Sequence, residues 1–348
     1  MKKCAFITGV TGQDGSYLAK FLLKKGYVVH GMKRRSSLIN TQRIDDIYED
    51  FFQSNKKFIL HHGDMTDTSS LQSIIGKIKP DEVYNLAAQS HVAVSFEQPE
   101  YTANTTSLGT LRILEIIRQT NRKIKFYQAG TSELYGGVYK FKQNEKTPFH
   151  PRSPYAVAKL YSHWLTKNYR DAYGIFACNG ILFNHESPLR GETFVTKKIV
   201  SALVKIKFGM QKKLYLGNIY AKRDWGHAKD YVEAMWLMMQ QKKPDDFVIS
   251  TGKQISVKQF VNLVCKELGI KIKWHEKTKF PYATNSKNKK IIQISSKYYR
   301  PTEVNTLVGD SMKAKKILNW KPKYDLKKLV IEMINFEIQQ IKNVSKKF

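Results

Sequence analysis

The amino-acid sequence predicts an α/β protein: a doubly wound parallel sheet covered by helices, joined to a smaller α/β body. Three observations carry that expectation. Short apolar, β-rich runs alternate with longer amphipathic runs through the first half of the chain. The first apolar run ends in a glycine-rich turn that opens a helix. From about residue 186 the alternation weakens into a looser succession of helices and short strands. At 348 residues the chain is long enough for a sizeable core, in one large domain or two.

Each element has its own signal. "CAFITG" is a strand, and "SYLAKFLLKKG" is an amphipathic helix closed by Gly26. "YVVHGM" and "FILHHGD" are strands, "SLQSIIGKIK" a helix and "EVYNLA" a strand. A long helix covers "YTANTTSLGTLRILEIIRQT", "IKFYQAG" is a strand, a helix runs through "SPYAVAKLYSHWLTKNYRDAYG", and "FACNGILF" is again a strand. Strands separated by helices form βαβ units, and ligands in such sheets sit outside the carboxyl ends of the strands. Beyond residue 186, "FVTKKIVSALVKIKFG", "HAKDYVEAMWLMMQQ", "SVKQFVNLVCKELG" and "DLKKLVIEMINFEIQQIK" have helical spacing, and "LYLGN", "DFVIS" and "IKIKW" are short strands. "KTKFPYATNSKNKK" is polar with no apolar period and is expected to be a loop. The expected division is residues 1–185 plus about 220–250 in the sheet domain, and 186–219 plus 251–348 in the smaller one, interleaved in sequence.

Composition narrows the function classes. The net charge is +30, but the lysines are spread along the chain rather than gathered in a recognition helix, and no aromatic-interleaved RNA motif is present. Nucleic acid is therefore not the expected partner, whereas a basic surface attracts a small anion such as a nucleotide. Cys4, Cys178 and Cys265 are odd in number and widely spaced, and His61 and His62 point to opposite faces of a strand, so neither a disulfide framework nor a metal site is expected. No segment approaches the roughly 20 apolar residues that span a bilayer, and the cytoplasm is the expected location.

The turn "TGVTGQDG" spaces Gly9, Gly12 and Gly15 as GxxGxxG between the first strand and first helix, where a pyrophosphate can rest on the helix N-terminus. That makes the sheet Rossmann-type. At the end of the second strand stands "KRRSS" in place of the acidic residue that holds a free ribose 2′-hydroxyl. Arg34, Arg35, Ser36 and Ser37 suit a 2′-phosphate, which points to NADP. Asp64 closes the next strand near the adenine, and the small residues from Leu86 to Ser90 allow close approach of the cofactor. "SPYAVAKLY" stacks Tyr155 and Lys159 on one helix face, where the ammonium is expected to ease loss of the phenolic proton. "TSELYG" places a carboxylate, Glu133, two residues past the Thr131 hydroxyl.

These segments, with "NLAAQSHV", "PFHPRSPYAVAKLY", "NGILFNHESP", "RDWGHAKDYVEAMW" and "YYRPTEV", resemble the GDP-mannose 4,6-dehydratase family of extended short-chain dehydrogenases/reductases almost end to end. The resemblance implies an NADP-dependent lyase acting on a GDP-linked manno-configured sugar, either the hexose or, in one branch, GDP-D-glycero-D-manno-heptose. It implies that Thr131 and Tyr155 handle the sugar 4-hydroxyl with Lys159 tuning the phenol, and that Glu133 takes the C5 proton and protonates the departing C6 hydroxyl. Cofactor contacts are implied for Gly9, Val10, Thr11, Gly12, Gln13, Asp14 and Gly15, and for Arg34 to Ser37. They continue through Asp64, Met65, Leu86, Ala87, Ala88, Gln89 and Ser90 to Tyr101, Lys159, His185 and Arg190. Substrate contacts fall on Asn184, Glu186, Lys198, Arg223, Arg300 and Glu303, and the assembly implied is a homotetramer or a dimer.

The chain departs from the family pattern at Gly130, commonly serine, at Leu189 and Lys197, both commonly arginine, and at His150, commonly tyrosine. Leu189 and Lys197 lie in the sugar-nucleotide half and bear on substrate identity more than on reaction type. An epimerase or reductase of the same superfamily would need the hydroxyl, tyrosine and lysine but not the carboxylate, so Glu133 discriminates between these readings. A non-enzymatic NADP sensor would be free to lose Tyr155 or Lys159, and both are present.

Overall fold

The computed structural model describes residues 2–48, 55–299 and 301–345. β1 (Cys4–Thr8) leads through the glycine turn into α1 (Gln13–Lys24), followed by β2 (Val28–Lys33), β3 (Phe58–His62), α2 (Thr68–Ile78) and β4 (Glu82–Asn85). Two short helices, α3 (Val92–Glu97) and α4 (Pro99–Ala103), run through a π-helical segment, Asn104–Leu108, into α5 (Gly109–Thr120). The predicted long helix thus carries a π insertion, which brings the Ser107 hydroxyl to the Ala158 carbonyl and the Thr106 carbonyl to the Ser162 hydroxyl. β5 (Lys125–Ala129), a 3₁₀ turn at Ser132–Tyr135, α6 (Pro154–Tyr173) and β6 (Ala177–Leu182) complete the first half.

The second half comprises β7 (Asn184–Glu186), α7 (Val195–Lys207), β8 (Leu214–Leu216), β9 (Lys222–Arg223), β10 (Trp225–His227), α8 (Ala228–Met239) and β11 (Asp246–Ile249). β12 (Ile255–Ser256), α9 (Val257–Leu268), β13 (Ile272–His275), β14 (Tyr282–Asn285), β15 (Lys290–Ile294), α10 (Met312–Leu318) and α11 (Leu326–Ser345) follow.

Seven strands form one parallel sheet in the order β11-β6-β5-β4-β1-β2-β3. The chain leaves β1 toward β2 and β3 on one side and returns to β4 on the other, so a crevice opens at the carboxyl ends of β1 and β4. The Thr8 hydroxyl fixes that crevice: it donates to Asn85 Oδ1 at 2.8 Å and accepts from the amides of Leu86 and Ala87 at 3.1 Å each. The helices start where local chemistry says they should. Asp67 caps α2 through the amides of Ser69 and Ser70, Ser153 caps α6 ahead of Pro154, and Ser256 with Gln259 forms a capping box on α9. Gly174 and Gly269, in left-handed conformation, close α6 and α9.

Leu18, Val29, Tyr84 and Tyr127 share one core with Met235 and Met238 of α8 and with Ala314, Leu318 and Trp320. A second core joins Ile199 and Leu203 of α7, Phe260 and Val264 of α9, Ile292 of β15, and Leu329 and Met333 of α11. The chain therefore passes back and forth between the two.

One expectation fails. The polar stretch expected as a loop contains β14, which pairs antiparallel with β13 and β15. Its buried residues are Ala283 and Thr284, small or polar, so no apolar period marks it. The turn that follows places Asn288 at φ 55°, a conformation asparagine tolerates. Among the described residues no helix is long and apolar enough to cross a membrane, and no group of three His, Cys, Asp or Glu side chains could hold a metal ion.

Candidate active site

The glycine turn after β1 has the geometry of a dinucleotide cradle. Gly9 adopts φ 68°, and a Cβ there would fall 3.0 Å from the backbone of Ala87. A Cβ on Gly15 would stand 2.4 Å from the Gly9 carbonyl oxygen, so α1 packs onto the turn only with hydrogen at that position. Gly12 caps α1 without a side chain, which leaves the first helical amides for a ligand's phosphate oxygens. The cleft beside this turn holds about 370 Å³ and is walled by Gly9, Thr11, Gly12, the segment Leu86–Ser90, Met65 and Tyr101. Arg34 and Asp64 stand at its rim and also border an adjoining cavity with Arg35. Arg34 donates from Nη1 to the Tyr101 hydroxyl at 2.6 Å, which aims the guanidinium across the cleft. Shape and donor set fit a dinucleotide.

A smaller cavity of about 150 Å³ continues inward from Leu86, Ala88 and Ser90. Thr131, Glu133, Tyr155 and Lys159 line it together with Asn184, His185 and Arg190. Thr131 stands in extended conformation after β5 and caps the 3₁₀ turn, its hydroxyl accepting from the Glu133 amide at 3.2 Å. This turn, entered from a strand end, places a hydroxyl and a carboxylate two residues apart in one cavity. Gly130 just before it has no room for a side chain, since a Cβ would lie 2.7 Å from the Gly180 carbonyl oxygen of β6. Tyr155, in the first turn of α6, hydrogen-bonds the Thr131 side chain. Lys159, one turn later and 3% exposed, donates to the Ala129 carbonyl at 2.7 Å.

The electrostatics correct one expectation. Burial pushes the Tyr155 phenol up to about 12, against the Thr131 hydrogen bond, and Lys159 is not among the charges that act on it. The ammonium is turned to the Ala129 carbonyl. Burial brings Lys159 itself down to about 8, opposed by the charge of Asp14. This has a consequence for stability. Below pH 8 the folded protein carries the whole cost of a buried ammonium. Between pH 8 and the ordinary 10.5 the folded state has shed a proton that the unfolded chain keeps, so stability rises with pH. Relative to Lys159→Met, the wild type is expected to gain on the order of 3 kcal/mol across that window, measured by urea unfolding of both proteins. A pH-independent difference would contradict the assignment.

His185 forms the floor of the cavity. Its Nδ1 donates to the Phe183 carbonyl at 2.8 Å, and its Nε2 to Asp14 Oδ2 at 2.7 Å. Both partners are acceptors, so the ring carries both protons and is an imidazolium. Burial alone would lower its pKa, but Asp14 outweighs burial and raises it. The ring stacks on Tyr231 at 4.4 Å. Arg190 pairs with Glu186 at 3.1 Å and lies over the Phe194 ring at 3.7 Å.

Not every expected residue reaches these cavities. Val10 is core, Gln13 bridges the His185 carbonyl and the Ser187 hydroxyl, and Ser36 accepts from the Leu38 amide on an exposed loop with Ser37. Glu186 is buried and accepts from the Thr196 hydroxyl at 2.6 Å. Lys198 lies over the Tyr298 ring at 3.5 Å, Arg223 borders a separate cavity with Trp225, and Glu303 is half-buried. Arg300 lies outside the described residues. Two residues were missed: Phe194, which lines the inner cavity, and Arg43, which donates to the carbonyls of Leu189 and Thr11. No local motif marks either one.

Fold and site together define the class, an extended short-chain dehydrogenase/reductase on a Rossmann-type sheet. The family model for GDP-mannose 4,6 dehydratase matches residues 6–333, and the chain belongs to that family. A GDP-mannose 4,6-dehydratase of Yersinia enterocolitica is 56% identical over 355 residues, covering 98% of this chain and 95% of the relative. GDP-mannose 4,6 dehydratase 1 of Arabidopsis thaliana is 55% identical over 346 residues, covering 98% and 91%. Among solved structures, a dTDP-glucose 4,6-dehydratase from Bacillus anthracis in complex with NAD superposes with a TM-score of 0.79 at 21% identity, covering 98% of both chains. The UDP-glucose 4-epimerase of Thermotoga maritima gives 0.79 at 23%, covering 97% and 99%. Similarity at that level speaks for the fold.

Proposed function

We propose that the chain is a hydro-lyase that removes water across C5 and C6 of GDP-mannose with a nicotinamide dinucleotide, NADP, as resident cofactor. The observation that carries the reading is the buried carboxylate of Glu133 in the same cavity as Thr131, Tyr155 and Lys159. Membership of the dehydratase family supports the substrate. Held by the Gly9–Gly12 turn and the segment Leu86–Ser90, the dinucleotide would supply a reversible hydride acceptor for C4 and donor for C6. The chain's own residues do the rest. Thr131 and Tyr155 hold the 4-hydroxyl between them, and Tyr155 takes its proton when the phenol is ionised, as phenolate becoming phenol. Lys159 anchors the ribose side and stays close enough to Asp14 to keep part of its charge. Glu133 removes the C5 proton, acidified by the neighbouring ketone, and delivers it to the departing C6 hydroxyl, so one carboxylate serves as base and then acid. Asn184, Glu186, Lys198, Arg223, Arg300 and Glu303 are the proposed contacts of the GDP-sugar.

The test incubates the purified protein with GDP-mannose and follows loss of water by mass spectrometry, using substrate deuterated at C4. Deuterium at C6 of the product is the expected result. Intact substrate, or C6 hydrogen drawn from the solvent, would remove the reaction. Running the assay on GDP-manno-heptose as well measures how far the pocket tolerates a further carbon at C6.

The preference for NADP rests on Arg34 and Arg35 at the cleft. Arg34→Ala and Arg35→Ala are each expected to weaken NADP binding about tenfold and to leave NAD binding nearly unchanged, by fluorescence titration. Equal losses for both dinucleotides would refute the 2′-phosphate assignment. A homo-oligomer is part of the same proposal. Val157, Tyr161 and Trp164, spaced along one face of α6 and exposed, support it.

A further inference from the structure

Lys197 is a buried lysine that does not line the catalytic cavity. It sits in the first turn of α7, 5% exposed. Its ammonium donates to the Pro188 carbonyl at 2.8 Å, pairs with the Glu337 carboxylate of α11, and lies 4.7 Å from the centre of the Phe336 ring. Glu337 is itself buried. A lysine and a glutamate removed from water hold such a position only when each satisfies the other.

What the pair grips is the informative part. Pro188 lies in the middle of the segment 184–190, which brings Asn184, His185 and Arg190 to the cavity. Proline has no amide N–H, so its carbonyl is the only backbone handle at that position. The neighbouring residues are tied elsewhere: the Ser187 hydroxyl donates to Gln13 Oε1 at 2.7 Å, and the Leu189 carbonyl accepts from Arg43 Nε at 2.8 Å. From the side of α7 the Thr196 hydroxyl ties Glu186, and the Lys197–Glu337 pair adds a second tie that joins the last helix of the chain to the wall of the cleft.

We propose that Lys197 is a positioning residue: clamped by Glu337, it fixes the Pro188 carbonyl and so holds His185 and Arg190 where the dinucleotide and sugar nucleotide meet. The inference rests on the proposed contact of His185 and Arg190 with the dinucleotide. Lysine at this position thus acts on site geometry through the backbone, not by touching the sugar. Arginine offers donors enough for both the carbonyl and the carboxylate. Methionine keeps the aliphatic stem over Phe336 but leaves Glu337 buried alone.

The test measures the NADP dissociation constant by fluorescence titration, together with KM and kcat for GDP-mannose, well below the unfolding midpoint of each protein. Lys197→Met is expected to raise both the dissociation constant and KM by about tenfold with a smaller fall in kcat, because misplacement of a binding segment by a fraction of an ångström is costly. Lys197→Arg is expected to return both to within about threefold of wild type. Glu267→Gln, which removes the 3.7 Å ion pair between Glu267 of α9 and Lys327 of α11, away from this segment, is expected to change neither. A folded Lys197→Met protein with a lower Tm but wild-type dissociation constant and KM would overturn the proposal, as would a folded Lys197→Arg protein that recovers neither. If Lys197→Met does not fold, Glu337→Gln decides, and wild-type values in that variant would overturn it. Should the wild-type protein bind NADP yet leave GDP-mannose intact, the reaction assignment fails while the dissociation constants still judge Lys197.

Discussion

Glu133→Gln is expected to bind the dinucleotide as the wild type does and to lower water loss from GDP-mannose by about a thousandfold. The amide has the volume of the carboxylate and leaves the 3₁₀ turn intact, because the turn is held by the Glu133 backbone amide on the Thr131 hydroxyl. What disappears is a group that can accept the C5 proton. The earlier oxidation at C4 does not need that group, so mixing the variant with substrate should build up reduced dinucleotide, visible by its near-ultraviolet absorbance, with no dehydrated product by mass spectrometry. Normal turnover would show that another base serves C5.

Tyr155→Phe is expected to lose turnover to a comparable extent, about a thousandfold, but without any build-up of reduced dinucleotide. The ring is buried and phenylalanine fills the same space. The change removes the phenolic oxygen that hydrogen-bonds Thr131 and that, once ionised, takes the proton from the sugar. The two variants thus stop the reaction on opposite sides of the oxidation, and the same absorbance trace separates them. If Tyr155→Phe accumulated reduced dinucleotide, the phenol would not be the C4 base.

The residues that the sequence exposed are those whose placement is local. The glycine turn needs Gly9 and Gly15 because backbone atoms of the same turn and of the Ala87 region would strike a Cβ, and the spacing that follows β1 announces it. Tyr155 and Lys159 share a face because a helix repeats every 3.6 residues. Glu133 follows Thr131 in a short turn whose hydrogen bond spans two residues. What stayed hidden depends on distant parts of the chain. Arg43 reaches Leu189 across 146 positions, and Lys197 meets Glu337 only once α7 and α11 have packed. β14 escaped because the residues it buries are Ala283 and Thr284, small or polar. The direction of the Lys159 ammonium was also out of reach, since helical spacing fixes the face but not the choice between Tyr155 and the Ala129 carbonyl.

The repeated passage of the chain between these two cores limits how such an enzyme can change. Leu18 and Met235 share one core with Trp320, while Ile199 and Phe260 share the other with Met333. A genetic crossover anywhere from Ile199 to Trp320 would mix fragments of both bodies, and neither would inherit a complete interior. Wholesale exchange of the body built on α7, α9 and α11 is closed to this architecture, and a new preference has to be reached by successive single-residue replacements around a scaffold that never comes apart.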